Sequence, residues 1–110
     1  MPHELLRLER LPPDLDELTR QAYIRVLAHE EWASEAQTSD RRRKLTCARV
    51  LGFLLLEAPS VHARHSVINE VNSCQGDNGR LFQLGEMFLE HYICLCESCH
   101  YLLFRTLINT

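Results

Sequence analysis

At 110 residues, 45% of them hydrophobic and 25% charged, the chain suffices for one globular domain. Its apolar content offsets the entropy of ordering a backbone, which excludes disorder over most of the length. Four Gly and four Pro exclude collagen-like and low-complexity sequences. A formal charge of -3 with a pI near 6.0 argues against a surface given over to nucleic acid, for which binding is expected to be weak or absent.

In chain order, residues 1–13 open with a short amphipathic stretch, His3–Arg10, stopped by Pro12 and Pro13. Glu4, Arg7, Glu9 and Arg10 interrupt the apolar run that a secretory signal requires, and the acidic residues disfavour a mitochondrial presequence. The longest apolar run, Val50–Leu56, has seven residues, against about twenty for a membrane-spanning helix. An intracellular protein, cytoplasmic or nuclear, with no membrane partner is the expectation.

The first helix is predicted over Asp14–Ala36. Asp14 and Glu17 stand in the first and fourth positions of a capping-box-like start. Leu15, Leu18, Ala22, Val26 and Leu27 follow at helical spacing, with Tyr23 beside them. Gln37-Thr-Ser-Asp40 is a polar break with N-cap candidates at Ser39 and Asp40. The second helix is predicted from Asp40 to Glu57, stopped by Pro59. Its uncharged stretch Val50–Leu56 marks it as the central, most buried helix, with Leu51, Leu54 and Leu55 in the core. Ser60 caps a third helix over Val61–Ser73, with Val61, Val67, Ile68 and Val71 on its core face. Its β-branched residues would suit a strand, but its polar residues do not alternate with period two.

Cys74-Gln-Gly-Asp-Asn-Gly79 is the strongest turn signal. It lacks the Lys of a P-loop and the preceding strand of a dinucleotide fold, so it reads as a turn and not a phosphate site. The fourth helix is predicted from Arg80 to near Ile108. Its apolar stripe is Leu81, Leu84, Phe88, Tyr92, Leu95, Cys99 and Leu102, at steps of three and four, close to a heptad seam. At about 1.5 Å per residue such a helix spans roughly 40 Å. The radius of gyration of a domain this size is only about 13 Å. The helix either overhangs the bundle or breaks near Cys96. The expected class is therefore all-α: residues 1–110 form a single four-helix bundle-like domain with a long C-terminal helix.

The stretch Leu45–Ile93 carries a family pattern. It includes Ala48-Arg-Val-Leu-Gly-Phe-Leu, Ala58-Pro-Ser, Ala63-Arg-His-Ser-Val-Ile-Asn-Glu70, Gly76-Asp77, Leu84-Gly85 and Phe88. It resembles the helical region upstream of the nuclease domain in fungal proteins of the HNH-endonuclease type. The resemblance implies an all-helical, non-catalytic accessory or partner-binding segment. This chain has no His-Asn-His constellation and no ββα-metal unit, so no catalytic residue is carried over.

Five cysteines, Cys47, Cys74, Cys94, Cys96 and Cys99, are an odd number and read as thiols in a reducing compartment. Cys47 and Cys74 are expected to be small buried apolar side chains. Cys96-Glu-Ser-Cys99-His100 has the letters of a haem-attachment motif without an export signal. A zinc site is the better-motivated alternative. Cys96 and His100 share one helix face, His62 and His65 another, and together they supply the four N or S ligands zinc takes. These side chains read equally as ordinary Cys and His, since the spacing lacks a paired C-x-x-C signature; the first reading has no cofactor. Arg41-Arg-Arg-Lys44 opens a helix where the dipole disfavours cations, which suggests contact with an anion or an acidic partner, against the plainer reading of a solvated helix start.

No nucleophile, acid–base or metalloprotease arrangement is present in the sequence, so the chain does not read as an enzyme. The expected function is a helical protein–protein interaction or dimerisation module of a larger system. It would act as a homodimer through Phe88, Tyr92, Leu95, Cys99 and Leu102. The alternative is a zinc-binding helical protein using His62, His65, Cys96 and His100.

Overall fold

The computed structural model describes residues 13–58 and 60–95, the last four through their backbone. Four helices occupy almost all of this: α1 (Glu17–Ser34), α2 (Thr38–Glu57), α3 (Val61–Ser73) and α4 (Asn78–Leu95). The described residues contain no strand, and the class is all-α, as the periodicity predicts. Short links join successive helices. α2 lies at the centre and touches the other three, most extensively α1 and α4; α1 also packs along α3.

α1 starts three residues later than predicted. Pro13 and Asp14 lie in a turn, Leu15 tucks half-buried against the core, and Asp16 takes the N-cap position without a side-chain bond. Glu17 in the first turn complements the helix dipole. The buried residues of α1 are Ala22, Tyr23, Val26, His29 and Ala33. Leu18, predicted inside, is 55% exposed, although it stands in line with Ala22 and Val26; it lies in the first turn, at the open end of that stripe.

α2 begins at Thr38, two residues before its predicted start. Gln37 is the cap, and its carbonyl accepts from the amides of Asp40 (3.0 Å) and Arg41 (2.9 Å). From Thr46 to Leu55 every residue except Arg49 is buried. Leu51, Leu54 and Leu55 are at most 1% exposed, as expected of a helix without a polar face. The helix closes at Ala58, whose amide still reaches Leu54 O (3.1 Å) but whose backbone is already extended. Residues preceding a proline are driven out of the helical region.

α3 has the predicted bounds. Ser60 Oγ accepts from the Ala63 amide at 3.0 Å, and Val67, Ile68 and Val71 are buried. Val61, expected inside, is 62% exposed, at the first position of the helix and nearly two turns ahead of that cluster. Two cross-helix bonds clasp α3 to α1. Arg25 Nη1 donates to the Asn72 carbonyl at 2.7 Å, and Asn72 Nδ2 donates to the Leu18 carbonyl at 2.9 Å. The first adds a side-chain donor to a carbonyl in the last turn of α3 that also accepts from the Gln75 amide at 3.1 Å.

The turn before α4 uses two left-handed residues, Gln75 (φ 53°) and Gly76 (φ 79°). Asp77 then caps α4, its Oδ1 accepting from the amides of Gly79 (3.0 Å) and Arg80 (3.3 Å). Leu81, Leu84 and Leu89 are buried, and Phe82 and Phe88 pack on the core from its edge. Gly85 faces α2 so closely that an added Cβ would stand 2.8 Å from Cys47 O and 2.9 Å from Cys47 Cβ. α4 extends at least to Leu95; the rest of the predicted helix, to Ile108, lies outside the described residues.

Candidate functional site

The four cations that open α2 are largely turned to intramolecular use. Arg43 Nε and Nη2 both donate to Glu86 Oε2 on α4, at 3.0 and 2.9 Å. Lys44 Nζ stands 4.8 Å from the centre of the Trp32 ring on α1, a cation–π distance. Arg41 Nε donates to the Ala36 carbonyl at 3.4 Å, just beyond the end of α1. Cations that oppose the dipole of their own helix thus serve the electronegative end of α1, an indole face and a carboxylate. Arg41, Arg42 and Arg43 are exposed.

Of the predicted interface residues, Phe88 is half-buried and packs against the core. Tyr92 and Leu95 belong to the helical backbone of α4, while Cys99 and Leu102 lie outside the described residues. Of the alternative zinc ligands, His62 and His65 are both exposed on α3, and Cys96 and His100 lie outside the described residues. Among the described residues no group of three or more His, Cys, Asp and Glu side chains converges as a metal site would require.

Cys47 and Cys74 are free, buried thiols. Burial pushes Cys47 up to about 11, and burial likewise raises Cys74, whose Sγ donates to the Glu70 carbonyl at 3.4 Å. A thiol becomes nucleophilic as thiolate, so both are packing residues at neutral pH. Tyr23 is similar: buried, its hydroxyl donating to the Leu55 carbonyl at 3.3 Å and its pKa raised by that burial.

The group that sequence reasoning passes over is His29. It is fully buried on α1, facing the first turn of α4. Its Nδ1 lies 3.1 Å from Asn78 Oδ1 in the first turn of α4, and its ring stacks on Trp32 with centroids 5.2 Å apart and planes at 18°. Its Nε2 has no hydrogen-bond partner among the described residues. Burial holds its pKa below the ordinary 6.5, outweighing the Asn78 bond, which acts in the opposite direction. The available signal was the stripe Ala22, Val26, His29, Ala33, at steps of four, three and four, which carries a histidine on the core face.

No family model, curated protein or solved structure matches the chain. Among the described residues no helix is long and apolar enough to cross a membrane.

Proposed function

We propose that the chain is a non-catalytic helical interaction module, an accessory part of a larger intracellular system, that forms a homodimer through the C-terminal part of α4 and the sequence after it. The observation that carries this is the spacing of apolar residues. The stripe that starts on the core side of α4 at Leu81 and Leu84 continues in sequence through Phe88, Tyr92, Leu95, Cys99 and Leu102 at steps of three and four. A helix extended along that stripe outruns the three shorter helices that could cover it. A second copy covers it symmetrically, as a matched seam does in a coiled coil. At about 25 cal/mol per Å², covering several hundred Å² of apolar surface gains several kcal/mol before the entropy of association is subtracted. The resemblance of Leu45–Ile93 to the helical region upstream of HNH-type nuclease domains supports the same non-catalytic reading. Exposed Arg41 and Arg42 are the residues to which an acidic partner would bind.

The test is the mass in solution. Wild-type protein at high micromolar concentration is expected to scatter light as a dimer. The double variant Leu95→Glu, Leu102→Glu is expected to be a folded monomer with unchanged helical circular dichroism. A monomeric wild type overturns the proposal, as does a double variant that unfolds, since the seam would then be core.

A further inference from the structure

We infer that His29 makes the junction of α1 and α4 acid-sensitive, its protonation releasing the first turn of α4 from α1 while the remainder of the bundle stays folded. Three observations carry this. The imidazole is fully buried and bridges two helices through one bond, Nδ1 to Asn78 Oδ1 at 3.1 Å. With an amide oxygen facing it, Nδ1 carries the proton of the neutral ring, which leaves Nε2 as an acceptor without a partner among the described residues. A second proton on Nε2 therefore creates a buried charge and a buried donor that nothing described receives. The α1–α4 contact that this bond supports is also among the smallest helix–helix contacts of the bundle, so it can open alone.

The surrounding groups do not favour the cation. α2 brings Lys44, itself a cation, over the Trp32 ring that stacks on His29. α4 brings the positive end of its dipole, with Asp77 engaged by its own amides and Arg80 exposed. On α1 the nearest charged neighbours in sequence are Glu30, the exposed Glu31, and Arg25, committed to Asn72. α3 meets α1 around Arg25, a turn away, with Glu70 exposed. The balance falls to burial, which lowers the pKa below 6.5. The sign follows from linkage. The unfolded chain takes up its proton first, near 6.5, so stability is full above that value and declines as the pH falls below it.

Trp32 is the single tryptophan, and an imidazolium stacked on an indole quenches its emission, so the reporter is native. On acidification, emission is expected to fall with a midpoint below pH 6.5 while the far-ultraviolet helical signal holds. Amide exchange at residues 78–81 should accelerate over the same interval. His29→Gln should abolish both changes. Asn78→Asp, which places a carboxylate opposite Nδ1 at a helix start that favours it, keeps the test alive if His29→Gln does not fold; by pairing with the imidazolium it should raise the quenching midpoint by about one unit or more and suppress the acid-induced exchange at residues 78–81. Emission and exchange that stay flat between about pH 4 and 7 overturn the inference. So does a midpoint that Asn78→Asp leaves in place, or loss of the helical signal in step with the quenching.

Discussion

Cys47 shows how far a residue's neighbourhood decides its chemistry. Its thiol, pushed up to about 11 by burial, lies against Gly85 of the adjoining helix. At pH 7.5 it is thiolate in fewer than about one molecule in a thousand, far below an ordinary cysteine. Iodoacetamide in native buffer is therefore expected to leave Cys47 unmodified, and peptide mapping after labelling in guanidinium to find it fully alkylated. Native labelling at the rate of a free thiol would mean that α2 and α4 part readily. The burial of Cys47 and Cys74 was legible from residue type alone, because a free cysteine behaves as a small apolar side chain. His29 was not, because a histidine reads as polar surface until the stripe through Ala22, Val26 and Ala33 is drawn first. The partners of Arg43 and Lys44 were equally hidden. Spacing exposes neighbours on the same helix, whereas Glu86 and Trp32 reach these cations from α4 and α1.

At the scale of the elements, helix identity was legible throughout and helix ends only where a side chain dictates them. Ser60 bonds the Ala63 amide, and α3 starts where that cap requires. Asp14 satisfies the same letter rule but sits in a turn, because burial of Leu15 leads the chain into the helix only at Glu17. The β-branched run of α3 stays helical because Val67, Ile68 and Val71 bury together only with a helical period. The packing of α4 on α2 was not legible, since one glycine sets it. Gly85→Ala puts a methyl 2.8 Å from the Cys47 carbonyl oxygen, an approach that backbone must yield to relieve. Overpacking of this kind costs about 1–3 kcal/mol, whereas alanine's helix propensity returns at most about 1 kcal/mol. The variant is expected to unfold at lower urea concentration than wild type with an unchanged slope. A higher midpoint would show that the helices separate at little cost.

At the scale of the whole molecule, α2 holds the architecture together, since α1, α3 and α4 all pack on it and α3 and α4 barely touch one another. Leu54, in its last turn, is 1% exposed and belongs to the core cluster shared by all four helices. Leu54→Ala removes a fully buried side chain from that cluster and leaves a cavity that close-packed neighbours fill only in part, at a cost of about 2–5 kcal/mol. Small domains have a total stability of about 5–15 kcal/mol, so one such loss is a large fraction of the whole. For a chain this size each kcal/mol lowers the thermal midpoint by about 4–8 °C, and a fall of at least about 8 °C is expected. Met87 provides the control. It is large, apolar and 52% exposed, so Met87→Ala should leave the midpoint within about 4 °C, as surface substitutions generally do. Equal midpoints for Leu54→Ala and Met87→Ala would mean that α2 is not the element on which the other three depend.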